Sequence, residues 1–408
     1  MKTNWRVWRW SLWLVPLILS AADIHRAESE RRHVLTGIDI LEAEQFSPLH
    51  GLRVGLITNQ TGRNHLGQRT LDLLRNSSQC TLLRVFSPEH GLTGNLDGKV
   101  GSQIDSQTGV TVYSLYGETR RPTPEMLLGL DILIFDMQDI GARFYTYITT
   151  MAYAMEAAGK AGIRFMVLDH PNPVTGTHVE GPVIDSDRLS FIGYFSLPVR
   201  HGMTIGELAS LFKGENRLPV QLEVIRMQGW SRKLWLDETD LTWVNPSPNI
   251  RNLRQATLYT TTALLEATNV SVGRGTETPF EVIGAPWINS EELVHYLDAR
   301  RIVGVQFTAA EFTPASDLYS GKHCQGIHLT VTDRNQFQSV ACGLELAKAL
   351  VRLYPGEFHH EELIQRIGSE AVVEGILKNQ PLEELMKADE VPFLHFLQIR
   401  KKYLLYPE

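Results

Sequence analysis

Short, almost uninterrupted apolar runs recur through the first half of the chain, at residues 54–58, 82–86, 110–115, 132–135 and 164–168. Segments of helical period lie between them, at 69–75, 124–130 and 147–161. In the last of these, Ile148, Met151, Ala152, Met155 and Ala158 fall on one face. A strand that stays apolar on successive residues has both faces buried, and alternation with helices makes each connection a crossover. The pattern predicts an α/β fold on a parallel, Rossmann-like sheet. The turn after the first run is Thr58-Asn59-Gln60-Thr61-Gly62, which lacks the G-x-G-x-x-G of a dinucleotide site. No cofactor is expected.

Residues 170–255 are rich in Pro, Asn and Gly and read as long binding loops, interrupted by a helix at 205–212 and a strand at 220–226. From about residue 256 the order of patterns changes. Helical segments are expected at 258–267, 290–300 and 336–353, with a strand pair at 305–312 and 326–332. The tail from His359 is helical, and Pro381 stands where a short helix would begin. The expected organisation is a Rossmann-like catalytic domain over 35–255 and a smaller α+β domain over 256–408 that closes a cleft against it.

The first 22 residues follow another rule. Lys2, Arg6 and Arg9 precede an apolar stretch at 10–18 that is short for a bilayer span, and Ser20-Ala21-Ala22 supplies small residues for cleavage. This is the pattern of a secretory signal peptide. It predicts an exported protein, periplasmic or extracellular, with no stable membrane insertion after cleavage.

Composition elsewhere is that of a globular protein, 43% apolar and 21% charged, so a large core is affordable. The net charge is −7, and it falls to about −10 when the three cations of the leader are removed. With no Lys/Arg block to offset that balance, nucleic acid is not an expected partner. Cys80, Cys324 and Cys342 are too dispersed for a zinc ribbon or a redox pair. Cys324 and Cys342 are open to one disulfide in an exported protein; three buried thiols are the alternative.

Candidate chemistry concentrates where strands end, because open α/β sheets bind ligands beyond the carboxyl ends of their strands. Ser87-Pro88-Glu89-His90-Gly91 follows the second run, and its Pro and Gly turn the chain sharply around an acid and an imidazole. Glu89 is the first candidate for the catalytic group. The segment from Asp136 to Tyr147 follows the fourth run. It offers Asp136 and Asp139 near the crevice, Arg143 as a fork for a carboxylate, and Tyr145 and Tyr147 as flat faces for sugar rings. Asn172 lies in a loop stiffened by Pro171 and Pro173. Asn59, Glu180, His201 and Asn249 are further polar candidates, whereas Thr204 and Glu207 have the spacing of a capping box. Far downstream, Arg274 stands between Gly273 and Gly275, glycines that would let the backbone approach a ligand, and Glu277 follows.

Paired carboxylates with aromatics and amides suit glycoside hydrolysis, one acid protonating the leaving oxygen and the other serving as base or nucleophile. A divalent metal held by Glu89, His90, Asp136, Asp139, Asp169 and His170 is the second chemistry, although no spacing reproduces a metal signature. A non-catalytic sugar-binding module on the same cleft is a third reading.

Several of these segments together resemble the NamZ family: Gly37-Ile38-Asp39, residues 56–62, Ser87 to Gly91, 136–147, 245–250, 266–281 and Gly284-Ala285-Pro286-Trp287. The resemblance runs from about residue 35 onward. It implies an exo-β-N-acetylmuramidase that releases N-acetylmuramic acid from the non-reducing ends of peptidoglycan fragments, with its site between a Rossmann-like domain and a smaller one. It supports Glu89 as a catalytic carboxylate and leaves Asp136, Glu180 and Glu277 competing for the second role. A route in which the N-acetyl group is the nucleophile stays open. Arg143 or Arg274 would clamp the lactyl carboxylate.

Overall fold

The computed structural model describes residues 31–96 and 101–408, so the expected signal segment lies outside the described residues. The first unit is a seven-stranded sheet. Its strands are β1 (Leu52–Thr58), β2 (Cys80–Ser87), β3 (Gln103–Ile104), β4 (Thr111–Ser114), β5 (Ile132–Asp136), β6 (Arg164–Leu168) and, after a small hairpin, β9 (Leu222–Ile225). The order is β3-β4-β2-β1-β5-β6-β9, and every pairing is parallel except that of β3 with β4. The hairpin is β7 (Glu180–Val183) with β8 (Pro198–Arg200).

Alternate residues of each strand serve opposite faces. Leu133 and Phe135 enter one core with Met151 and Leu208, from the helices Tyr147–Ala161 and Ile205–Glu215. Ile132 and Ile134 enter another with Leu41 and Leu71, from the helices Gly37–Ala43 and Thr70–Asn76. Burial on both faces is why the strands read as continuous apolar runs. The chain leaves β1 toward β2 and β4, then returns to the other side of β1 as β5. That reversal opens a crevice beyond the ends of β2 and β5.

The second unit has a three-stranded antiparallel sheet, ordered β10-β12-β11, from β10 (Val282–Ala285), β11 (Val305–Phe312) and β12 (Cys324–Val331). The helix Ser290–Asp298 packs on it, and the helix Ser339–Leu353 packs against that helix and against the helix Leu253–Thr262. The helix Leu253–Thr262 crosses the expected junction at 255/256, and one continuous core joins Phe135 to Leu264, Ile327 and Leu346. Glu180 fastens the units together: it pairs with Arg200 and accepts from the backbone N–H of Val340 at the start of Ser339–Leu353. Cys324 and Cys342 are both buried free thiols, so the disulfide alternative is not realised. Among the described residues, no helix is long and apolar enough to cross a membrane.

Candidate active site

A cleft of about 500 Å³ opens between the two units, with Glu89 and His90 on one side and Glu266, Arg274 and Arg366 on the other. Glu89 stands two residues beyond the end of β2. His90 and Gly91 then take left-handed backbone (φ 70° and 74°), and Gly91 N–H donates to the Pro88 carbonyl at 3.1 Å. The reversal leaves the half-buried Glu89 side chain in the cleft. Its Oε2 accepts from the Thr146 hydroxyl at 2.7 Å. The Tyr116 hydroxyl, just beyond β4, is also hydrogen-bonded to it, and burial together with the Glu89 charge pushes that phenol up to about 12. Tyr145 and Tyr259 line the same cavity, and burial drives both phenols upward. All three hydroxyls therefore remain protonated at neutral pH.

Across the cleft, Glu266 accepts from Arg274 at 3.1 Å and from Arg366 at 2.5 Å. Arg274 also pairs with Asp317. Burial alone would lower the Arg366 guanidinium, but Glu266, then Tyr259 and Glu89, outweigh it and hold the group above its ordinary value. Glu266 is thus an anion between two cations, engaged in holding the far wall.

Of the candidates read from sequence, Glu89, His90, Tyr145, Asn249 and Arg274 line the cleft together. The others lie elsewhere. Asp136 is fully buried; it accepts from Thr70 and pairs with His170 beneath the sheet ends. Glu277 is 99% exposed on the outer surface, paired with Arg251. Asp139 caps the backbone of Gly141 and faces His201, which is wholly buried and accepts from Met203 N–H. Asn59 is buried and turns back onto Thr61, and Asn172 braces its own loop through Val174 and Met203. Tyr147 is buried and donates to the Pro246 carbonyl. Arg143 is the clearest correction: it meets no substrate-sized space, and its guanidinium donates to the carbonyls of Pro182, Leu197, Arg366 and Ile367. It fixes the backbone that carries Arg366. Gly273 and Gly275 are left-handed (φ 79° each), and a Cβ there would strike the Thr278 and Ser316 backbones, so they pack against protein rather than ligand.

Models of the N-terminal and C-terminal domains of the exo-β-N-acetylmuramidase NamZ match residues 54–254 and 257–406. The chain belongs to the NamZ family. It is 44% identical over 392 residues to a protein of Bacillus subtilis (strain 168) named peptidoglycan β-N-acetylmuramidase NamZ, covering 95% of each chain. Two solved structures of DUF1343 family proteins from Bacteroides fragilis NCTC 9343 share the fold. One has a TM-score of 0.85 at 35% identity and the other 0.73 at 29%, each covering 92% of this chain and 99% of its own.

In this NamZ-family cleft, sequence reasoning missed Tyr116, Arg120, Thr146, Tyr259, Glu266 and Arg366. Glu266 opens a segment the sequence did single out. Thr146 stands between the two tyrosines it named. Arg366 had no local signal, because a helix far along the tail delivers it.

Proposed function

We propose that this protein is an exo-acting glycoside hydrolase that releases N-acetylmuramic acid from the non-reducing ends of peptidoglycan fragments. One observation carries the reading. A chain that matches a named peptidoglycan β-N-acetylmuramidase along nearly its whole length presents a single carboxylate, Glu89, to a sugar-sized cleft without an arginine partner among the described residues.

Glu89 acts first as general acid and gives its proton to the glycosidic oxygen as the bond to C1 breaks. Among the described residues the other cleft carboxylate, Glu266, is committed to two arginines, and Asp136, Glu180 and Glu277 lie outside the cleft lining. The nucleophile that fits is the substrate's own 2-acetamido oxygen, which bonds to C1 and forms an oxazolinium ion. Asn249 supplies a donor to hold the acetamide. Water then adds at C1, Glu89 takes its proton, and the oxazolinium ring opens to N-acetylmuramic acid. Every bond broken is replaced and the acid is regenerated.

The pattern of residues 1–22 supports export to where peptidoglycan lies. N-terminal sequencing of the exported protein tests this, with a start near residue 23 expected and an intact Met1 against it. For the catalytic reading, Glu89→Gln is expected to melt like wild type and to lose at least about a hundredfold in turnover of a chromogenic β-N-acetylmuramide. Near-normal turnover removes Glu89 from the mechanism. Saturable binding by wild type without released sugar favours a binding module instead.

A further inference from the structure

Among the described residues three arginines line the cleft, and their surroundings differ. Arg366 is held by Glu266, and Arg274 by Glu266 and Asp317. Arg120 has no carboxylate within ion-pair distance among the described residues. Its guanidinium lies 4.2 Å from the ring centroid of Phe191 and 5.7 Å from that of Tyr116. Those two rings form a shelf, 5.9 Å between centroids and tilted by 31°. The neighbouring Arg121 is turned away, paired with Glu156 and stacked over Tyr153. Tyr116 bonds to Glu89 through its hydroxyl, so one aromatic ring links the arginine to the proposed acid.

Stacking restrains the plane of a guanidinium while leaving its N–H edge able to meet a carboxylate in bidentate fashion. The group that distinguishes N-acetylmuramic acid from N-acetylglucosamine is the carboxylate of its 3-O-lactyl ether. We propose that Arg120 binds that carboxylate and sets the enzyme's preference for the acidic sugar. This assignment rests on the muramidase reading above, and it replaces the two arginines that sequence favoured. Arg143 is occupied by four carbonyls, and Arg274 by two acids.

The test compares two chromogenic β-glycosides, the N-acetylmuramide and its lactyl methyl ester, which has the same shape without the charge. Wild type is expected to favour the acid by roughly tenfold to a hundredfold in kcat/KM, the scale of a charge-assisted hydrogen bond. In Arg120→Gln that ratio should collapse toward one, mainly through a higher KM for the acid. Arg120→Lys, which keeps the charge and loses the fork, should keep part of the ratio. Wild type that treats both substrates alike overturns the proposal, and so does an Arg120→Gln protein with the wild-type ratio. In either case hydrolysis of the muramide still stands as evidence for the activity. Wild type that cleaves neither glycoside removes the functional reading itself. Arg120 is exposed, so its replacement should not disturb folding, and the ester comparison on wild type needs no variant.

Discussion

Replacing Glu266 by Gln removes one negative charge from between two guanidinium groups and leaves the shape of the side chain almost unchanged. Glu266 is 12% exposed and Arg366 is 18% exposed, so water screens this pair far less than a surface one. At such separations each ion pair is worth about 4 kcal/mol gross at an effective dielectric constant of 20, offset by the cost of burying the carboxylate. Breaking a buried pair by removing one partner typically costs 3–5 kcal/mol, because the remaining charge is left uncompensated. Arg274 keeps Asp317, and Arg366 keeps the more remote charge of Glu89 and the face of Phe144 at 5.5 Å. The expected loss is therefore near the lower end, about 3 kcal/mol. Denaturant unfolding at neutral pH measures it. Glu266→Met combined with Arg366→Met should be less destabilised than Glu266→Gln alone, since no buried charge is stranded. A Glu266→Gln protein within about 0.5 kcal/mol of wild type refutes the argument, for that is the behaviour of an exposed pair.

Two further outcomes follow from the geometry. If the acetamide is the nucleophile, the first-formed sugar keeps the β configuration, and a 2-trifluoroacetamido substrate reacts far more slowly because its carbonyl oxygen is a poorer nucleophile; initial inversion seen by NMR would count against it. Burial raises Asp389 to about 7, opposed by the Val183 N–H and by Arg143, and burial raises Asp169 to about 6. Both native values exceed the unfolded one near 4, so the stability these groups contribute is complete below about pH 4 and is lost as pH rises through 6 to 7. Wild type should melt lower at pH 8 than at pH 5, and Asp389→Asn should gain on it by roughly 1–4 kcal/mol across that interval. Parallel pH profiles for the two proteins would show that Asp389 does not titrate in this window.

The central strands were legible because both of their faces are buried: β6 was read to the residue, and β1, β2 and β5 within two at each end. β3 is two exposed residues, and β7 reads Glu-Gly-Pro-Val, so neither carries an apolar run. The elbow at Glu89 was legible for the same reason as β2, since it stands where an apolar run stops. Asp136 stands at an equivalent place after β5, yet its side chain turns down onto Thr70 and His170. Position at a strand end fixes the backbone and not the direction of the side chain. Arg143 looked like a ligand-binding fork because sequence cannot show four carbonyls converging on it from segments up to 224 residues away. The far wall was hidden for that reason too. Glu266 and Arg366 lie 100 positions apart, and only the packing of the second unit brings them together.

The segment from Leu405 to Pro407 returns to the first unit just beyond the carboxyl end of β6. There Tyr406 donates to Asp169, Leu405 N–H to Glu207, and Pro407 accepts from the backbone of Arg232. The first unit's buried acids are thus completed by residues synthesised some two hundred positions after them. A nascent chain halted at the junction would hold Asp169 and Glu207 with part of their bonding unmade, so the halves of this protein are not interchangeable modules, and grafting either onto a foreign partner would have to rebuild that closing stitch.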